Sequence, residues 1–121
     1  MNEKCKGKTI IGFSEKVKII GPKESKTVTA RIDTGATMSS IDSRLAAKLK
    51  LGPVIRTKLV KSAQGSSSRP VIKAKLKLDG KVIEEDFSIA DRKHMKYSIL
   101  IGQNILKKED FLIDPHKKVN K

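Results

Sequence analysis

The chain has 121 residues, of which 37% are hydrophobic, and carries 27 Lys and Arg against 13 Asp and Glu, a formal charge of +14. That length suits a single domain with one core, residues 1–121, with the folded part running from about Thr9 to about Pro115 between basic tails. A lone cysteine, Cys5, excludes an intrachain disulfide, and no apolar run approaches the length of a membrane span or a signal core, so a cytoplasmic chain is expected.

In chain order, Thr9 to Phe13 and Lys16 to Ile20 read as short strands stopped by Gly21-Pro22. Lys26 to Ile32 alternates, with Val28, Ala30 and Ile32 on one face and Thr27, Thr29 and Arg31 on the other. Ile41, Leu45 and Leu49 then recur at helical spacing, a short helix through Leu49 with Asp42 or Ser43 as cap and Gly52-Pro53 as stop. Val54 to Lys61 is a less regular strand, and Ser62 to Pro70 is small, polar and Ser-rich, the composition of a flexible hairpin loop. Val71 to Leu78 alternates cleanly, turns at Asp79-Gly80, and returns along Lys81 to Ile89 with Ile83, Phe87 and Ile89 on one side. An apolar strand ending at Gly102, a helical turn and a last strand over Phe111 to Asp114 complete the pattern. One real helix, several hairpins and no internal repeat predict an all-β fold, a small, partly closed barrel.

Two segments carry chemistry. Arg31-Ile32-Asp33-Thr34-Gly35-Ala36 places a carboxylate at the end of a strand, then a hydroxyl, then a glycine able to turn sharply. Tyr97-Ser98-Ile99-Leu100-Ile101-Gly102 is an apolar strand whose glycine permits close approach of a second backbone. Each alone is better read as an ordinary turn or core strand; both in this order, with strands between, are harder to obtain by accident.

With those residues in view, the chain resembles the retropepsin-like aspartic peptidases, and within them the microbial group labelled ATP-dependent zinc proteases. Further carriers are Ser68-Arg69-Pro70-Val71, Asp91-Arg92, Gln103-Asn104-Ile105-Leu106 and Phe111-Leu112-Ile113-Asp114. The resemblance implies an aspartic endopeptidase with Asp33 catalytic and Thr34, Gly35 and Ala36 forming the active-site loop. It makes Ser39, Leu100, Ile101 and Gly102 supporting residues, and Gly65, Ser66 and Arg69 part of a flap over the substrate. Because the motif occurs once and the chemistry needs two carboxylates, it also implies a homodimer, inactive until two chains meet at Asp33. The family commonly has Arg after the second glycine, paired with an acid four residues after the catalytic Asp; here those places are Gln103 and Thr37. Both ends are neutral, and a Gln103–Thr37 hydrogen bond is the expected replacement.

No cofactor is expected. There is no His-Glu-x-x-His and no pair of cysteines; His94 and His116 stand in Lys-rich, polar stretches, and no Gly-rich Lys-Ser/Thr loop offers an ATP site. The basic charge reads either as a solvated Lys-rich surface or as a field that favours acidic partners; together with the resemblance it makes a Glu-rich peptide the expected substrate. With 3% aromatics there are few rings on which bases could stack, so nucleic acid would bind only through non-specific charge. The alternative reading is a non-catalytic basic barrel that holds acidic protein or nucleic acid.

Overall fold

A computed structural model describes residues 7–63 and 65–119, so Cys5 lies outside the described residues. These form nine strands and two short helices: β1 (Thr9–Ile11), β2 (Ser14–Ile20), β3 (Ser25–Ile32), β4 (Ser39–Asp42), α1 (Ser43–Lys48), β5 (Val54–Ser62), β6 (Gly65–Leu78), β7 (Lys81–Ala90), β8 (Ile99–Ile101), α2 (Gln103–Leu106) and β9 (Phe111–Ile113).

Seven strands form one sheet in the order β2-β3-β8-β4-β7-β6-β5. A further antiparallel pairing of Val17–Ile20 with Lys75–Leu78 joins β2 to β6 and closes six of them into a barrel, a fuller closure than the sequence pattern suggests. β5 stands outside that ring, paired only to β6 as an extended hairpin arm. β1 and β9 pair in parallel as a separate two-stranded sheet.

The alternating strands deliver the core as expected. Val17 and Ile19, then Ala30 and Ile32, then Ile72, Ala74, Leu76 and Leu78 are all buried, with Ile83 and Phe87 facing them from β7. The intervening Lys73, Lys75 and Lys77 point outward. Asp79 and Gly80 both have positive φ, at 48° and 81°, the pair that a two-residue hairpin turn needs to match strand twist.

Three local features differ from the sequence pattern. Ser39–Asp42 is a strand, not an approach to the helix; all four residues are buried, so no period-2 signal exists to find. The Ser-rich stretch is not a loop: from Gly65 it is strand, with Ser66, Ser67 and Ser68 registered against Lys61, Val60 and Leu59. Finally, α1 ends at Leu49 as expected, but Gly52 is not what stops it. Lys50 takes φ 55°, while the amides of Lys50 and Leu51 donate to Ala47 O and Ala46 O, a left-handed cap that ends the helix on a lysine.

At its other end α1 begins as expected, with Asp42 accepting from Arg44 N. Asp42 does more than cap. Its oxygens also take the Arg44 guanidinium at 2.8 and 3.0 Å and the amide of Arg92 at 2.8 Å, tying β4 to the segment after β7. No helix is long and apolar enough to cross a membrane among the described residues.

Candidate active site

Asp33 sits just past the end of β3, where that strand emerges between β2 and β8. Its amide donates to Ile101 O at 2.9 Å, extending the β3–β8 ladder, and its carbonyl accepts from Ala36 N. The side chain is half-buried, and its Oδ1 accepts the Gly35 amide at 3.0 Å. Among the described residues Oδ2 has no hydrogen-bond partner. Thr34 and Gly35 are exposed, so the loop presents a fixed carboxylate with one oxygen open.

The neighbouring segment holds that loop by close contact and by polar bonds. Gly102 has φ −104°, open to any residue, yet a β-carbon there would stand 2.8 Å from Ala36 O, Met38 C and Met38 O. Space, rather than backbone freedom, demands glycine. Gln103 N donates to Ala36 O at 2.7 Å and Asn104 N to Thr37 O at 3.2 Å. The expected Gln103–Thr37 side-chain bond is not formed: Gln103 Nε2 reaches Thr34 O instead, at 2.8 Å. A backbone carbonyl accepts as well as a hydroxyl and lies nearer the tip of the loop.

Ser39 is fully buried and bonds the same segment. Its Oγ accepts Gly102 N at 2.9 Å and donates to Asn104 Oδ1 at 2.8 Å, while Ser39 N donates to the same Asn104 oxygen at 3.0 Å. Asn104 Nδ2 in turn reaches Asp86 O at 2.8 Å on β7. Three stretches of chain far apart in sequence, β4, β7 and the Gly102–Asn104 segment, are thereby locked under the Asp33 loop. The sequence names Asn104 only as part of the resembling Gln103–Leu106 segment and gives it no role; these bonds supply one.

Above the loop is a cavity of about 450 Å³ between Gly35–Met38 and the β5–β6 hairpin. Lys58, Leu59 and Lys61 of β5, Arg69 of β6 and Arg92 line it, together with Leu100, and no acidic side chain does. Of the flap residues expected from sequence, Arg69 faces this cavity, whereas Gly65 and Ser66 lie at the exposed hairpin end and do not line it. Asp33 and Thr34 also stand outside the lining, next to Gly35 in the chain. Ile101 and Gly102 are buried beneath.

Arg92, which the sequence names only as a carrier of the resemblance, is the second residue to gain a role. Its Nε donates to Tyr97 O at 2.9 Å and its Nη1 lies 3.5 Å from Ser40 Oγ. Burial holds its pKa below the usual arginine value; Asp42 opposes that shift and the positive charges of Arg69 and Arg31 add to it. An arginine so placed stays charged; its guanidinium forms no ion pair among the described residues, though the charges of Asp42 and Asp33 act on it, and it adds positive charge to the cavity wall. No group of three or more His, Cys, Asp or Glu gathers as a metal site among the described residues, and His94 and His116 are exposed.

The family model described as RimB-like, retropepsin-like aspartic endopeptidase RimB, matches residues 45–121. The chain belongs to this family. The match begins twelve residues after Asp33, so the assignment is independent of the Asp-Thr-Gly loop and rests on the hairpins, the Gly102 strand and the C-terminal strand. RimB-like membership and the fold agree. The crystal structure of the Legionella pneumophila protein Lpg0085, titled as of unknown function (DUF785), superposes with a TM-score of 0.66 at 21% identity, covering 93% of this chain and 97% of that one. The solution structure of the simian foamy virus protease superposes with a TM-score of 0.55 at 22% identity, covering 72% and 84%. At such identities the likeness is one of fold, a retropepsin-like β-barrel. No curated protein sequence matches the chain.

Proposed function

We propose that this RimB-like chain is an aspartic endopeptidase whose centre is completed when two copies bring their Asp33 side chains together. The observation that carries the reading is the Asp33 loop: a carboxylate fixed through Gly35 N, Ile101 O and the Gly102 contact, with one oxygen open. One carboxylate is not enough for the chemistry, and no second acid lines the adjoining cavity.

In the pair, two carboxylates in contact resist joint ionisation, so one keeps a proton while the other is charged; aspartic peptidases are the standard instance of this splitting. The apparent pKa values belong to the pair. The ionised member takes a proton from water as its oxygen attacks the scissile carbonyl. The protonated member gives its proton to that carbonyl oxygen, forming the tetrahedral diol. Collapse breaks the C–N bond as a proton passes to the leaving nitrogen. Thr34, exposed beside Asp33, would bond across the two-fold axis of the pair.

Substrate would lie extended between the Gly35–Met38 loop and the β5–β6 hairpin, held by main-chain bonds. Lys58, Lys61, Arg69 and Arg92 around an acid-free cavity favour negatively charged side chains there, which supports a Glu-rich peptide. A digest of a peptide library by wild type and by Asp33→Asn, both at concentrations where sedimentation shows dimer, tests the reading. Cleavage next to acidic residues, absent from the variant, is expected. Equal cleavage by both chains would remove Asp33 from the mechanism.

A further inference from the structure

β3 has an edge that the barrel leaves open. Seven of its residues, Ser25 to Arg31, are in register with β2, but β8 covers only Ala30, Arg31 and Ile32 on the other side. Hydrogen-bond parity fixes which groups face the gap. Ile32 N donates to Phe13 O on the β2 side, and Asp33 N donates to Ile101 O on the β8 side. Even-numbered residues therefore turn their amides and carbonyls toward β2 and odd-numbered ones away from it. Thr27, exposed, points its N–H and C=O past the start of β8, where no strand stands. Such an edge is a template for another extended chain.

The edge borders a groove. Cavities of about 710 and 260 Å³ lie along it and share Val28, Asp42, Arg44 and Ser98, so they are continuous. Lys16, Lys93 and Lys96 line the first and Lys26 and Lys48 the second. The lone carboxylate in the lining, Asp42, is already bonded to the Arg44 guanidinium and to the amides of Arg44 and Arg92. Those five lysines form no ion pair among the described residues. Exposed Met95 and half-buried Val28 add apolar ground between the charges.

We propose that the open edge of β3 is a docking site for an extended acidic segment of a partner protein, taken up as an added strand beside Thr27 with its carboxylates against the flanking lysines. Charge argues against a second copy, since pairing two β3 edges would bring Lys26 and Lys48 of one chain against those of the other. A free N–H and C=O on one residue match a peptide backbone, not a phosphate chain. The single tyrosine of the groove, Tyr97, is half-buried with the Lys96 ammonium 5.5 Å from its ring, a poor stacking platform.

The test uses the full chain carrying Asp33→Asn, so binding is read apart from cleavage and the outcome does not depend on the proposed chemistry of Asp33. A labelled octapeptide of alternating Val and Glu is titrated while backbone amide shifts are followed. The amides of Thr27 and Thr29 should shift and gain exchange protection, and adding Lys26→Glu with Lys93→Glu should weaken binding by about tenfold or more. Absence of binding, shifts confined to Gly35–Thr37 and the β5–β6 hairpin, or unchanged affinity in the charge-reversed chain would overturn the site. An oligothymidylate that gives the same shifts at equal affinity would overturn the choice of a peptide.

Discussion

Ser39→Ala isolates the polar lock under the Asp33 loop. The hydroxyl is fully buried and serves two partners, accepting Gly102 N at 2.9 Å and donating to Asn104 Oδ1 at 2.8 Å. Removing it leaves the Gly102 amide without an acceptor in a buried position, which costs about 1–3 kcal/mol. Asn104 Oδ1 keeps its bond from Ser39 N, so that side adds only about 0.5–1 kcal/mol. The sum, about 1.5–4 kcal/mol, is a large share of the roughly 5–15 kcal/mol that holds a domain folded. Urea unfolding should show a lowered midpoint at unchanged slope. Ser67→Ala, on the exposed face of β6, serves as control and should stay within about 0.5 kcal/mol. Asn104→Ala combined with Ser39→Ala should be clearly non-additive, since the two side chains share one network. A Ser39→Ala chain as stable as the Ser67→Ala control would refute the argument.

Other expectations follow from the same contacts. Gly102→Ala should cost about 1–3 kcal/mol, because its β-carbon meets three backbone atoms at 2.8 Å that no rotamer change can move; unfolding midpoints check this. Hydrogen bonds from Arg44 hold the Asp42 carboxyl below its ordinary 3.8, and those from Arg56 do the same for Asp86. A carboxylate with a depressed folded pKa adds stability above its unfolded pKa and loses it as pH falls through the folded one. Stability should therefore hold from neutral pH to about 5 and drop below about 4. Asp42→Asn should be less stable at neutral pH and fall less steeply on acidification, as unfolding curves at each pH would show. Arg69→Gln should lower kcat/KM for Glu-containing peptides more than for their Gln counterparts and flatten the salt dependence, read by paired kinetic assays.

The parts of the fold legible in sequence were those with a local period or a local turn. β6 and β7 alternate because one face packs in the barrel, and Asp79-Gly80 announces its turn through residues that tolerate positive φ. The Asp33 loop and the Gly102 strand were legible because a carboxylate before Gly and a glycine ending an apolar strand each serve a steric need. β4 was hidden because Ser39 to Asp42 is buried on both faces, and two serines in a row look like a loop. The strand over Gly65–Ser68 was hidden for the opposite reason: its composition is that of a turn, and pairing with β5 overrides it. Barrel closure between β2 and β6, and the Ser39–Asn104 bonds, join residues distant in the chain, where no windowed pattern reaches. The charge excess was plain in composition, but its concentration at the cavity above Gly35 and along the β3 edge depends on which lysines the strands turn outward.

The most direct test mixes chains. Wild type held at fixed concentration is titrated with Asp33→Asn protein, and hydrolysis of a Glu-containing peptide is followed. If each active centre takes one Asp33 from each of two copies, mixed dimers are dead and activity per wild-type chain falls toward zero as the variant comes into excess. Activity that stays constant per wild-type chain would show that a single copy suffices and contradict the account.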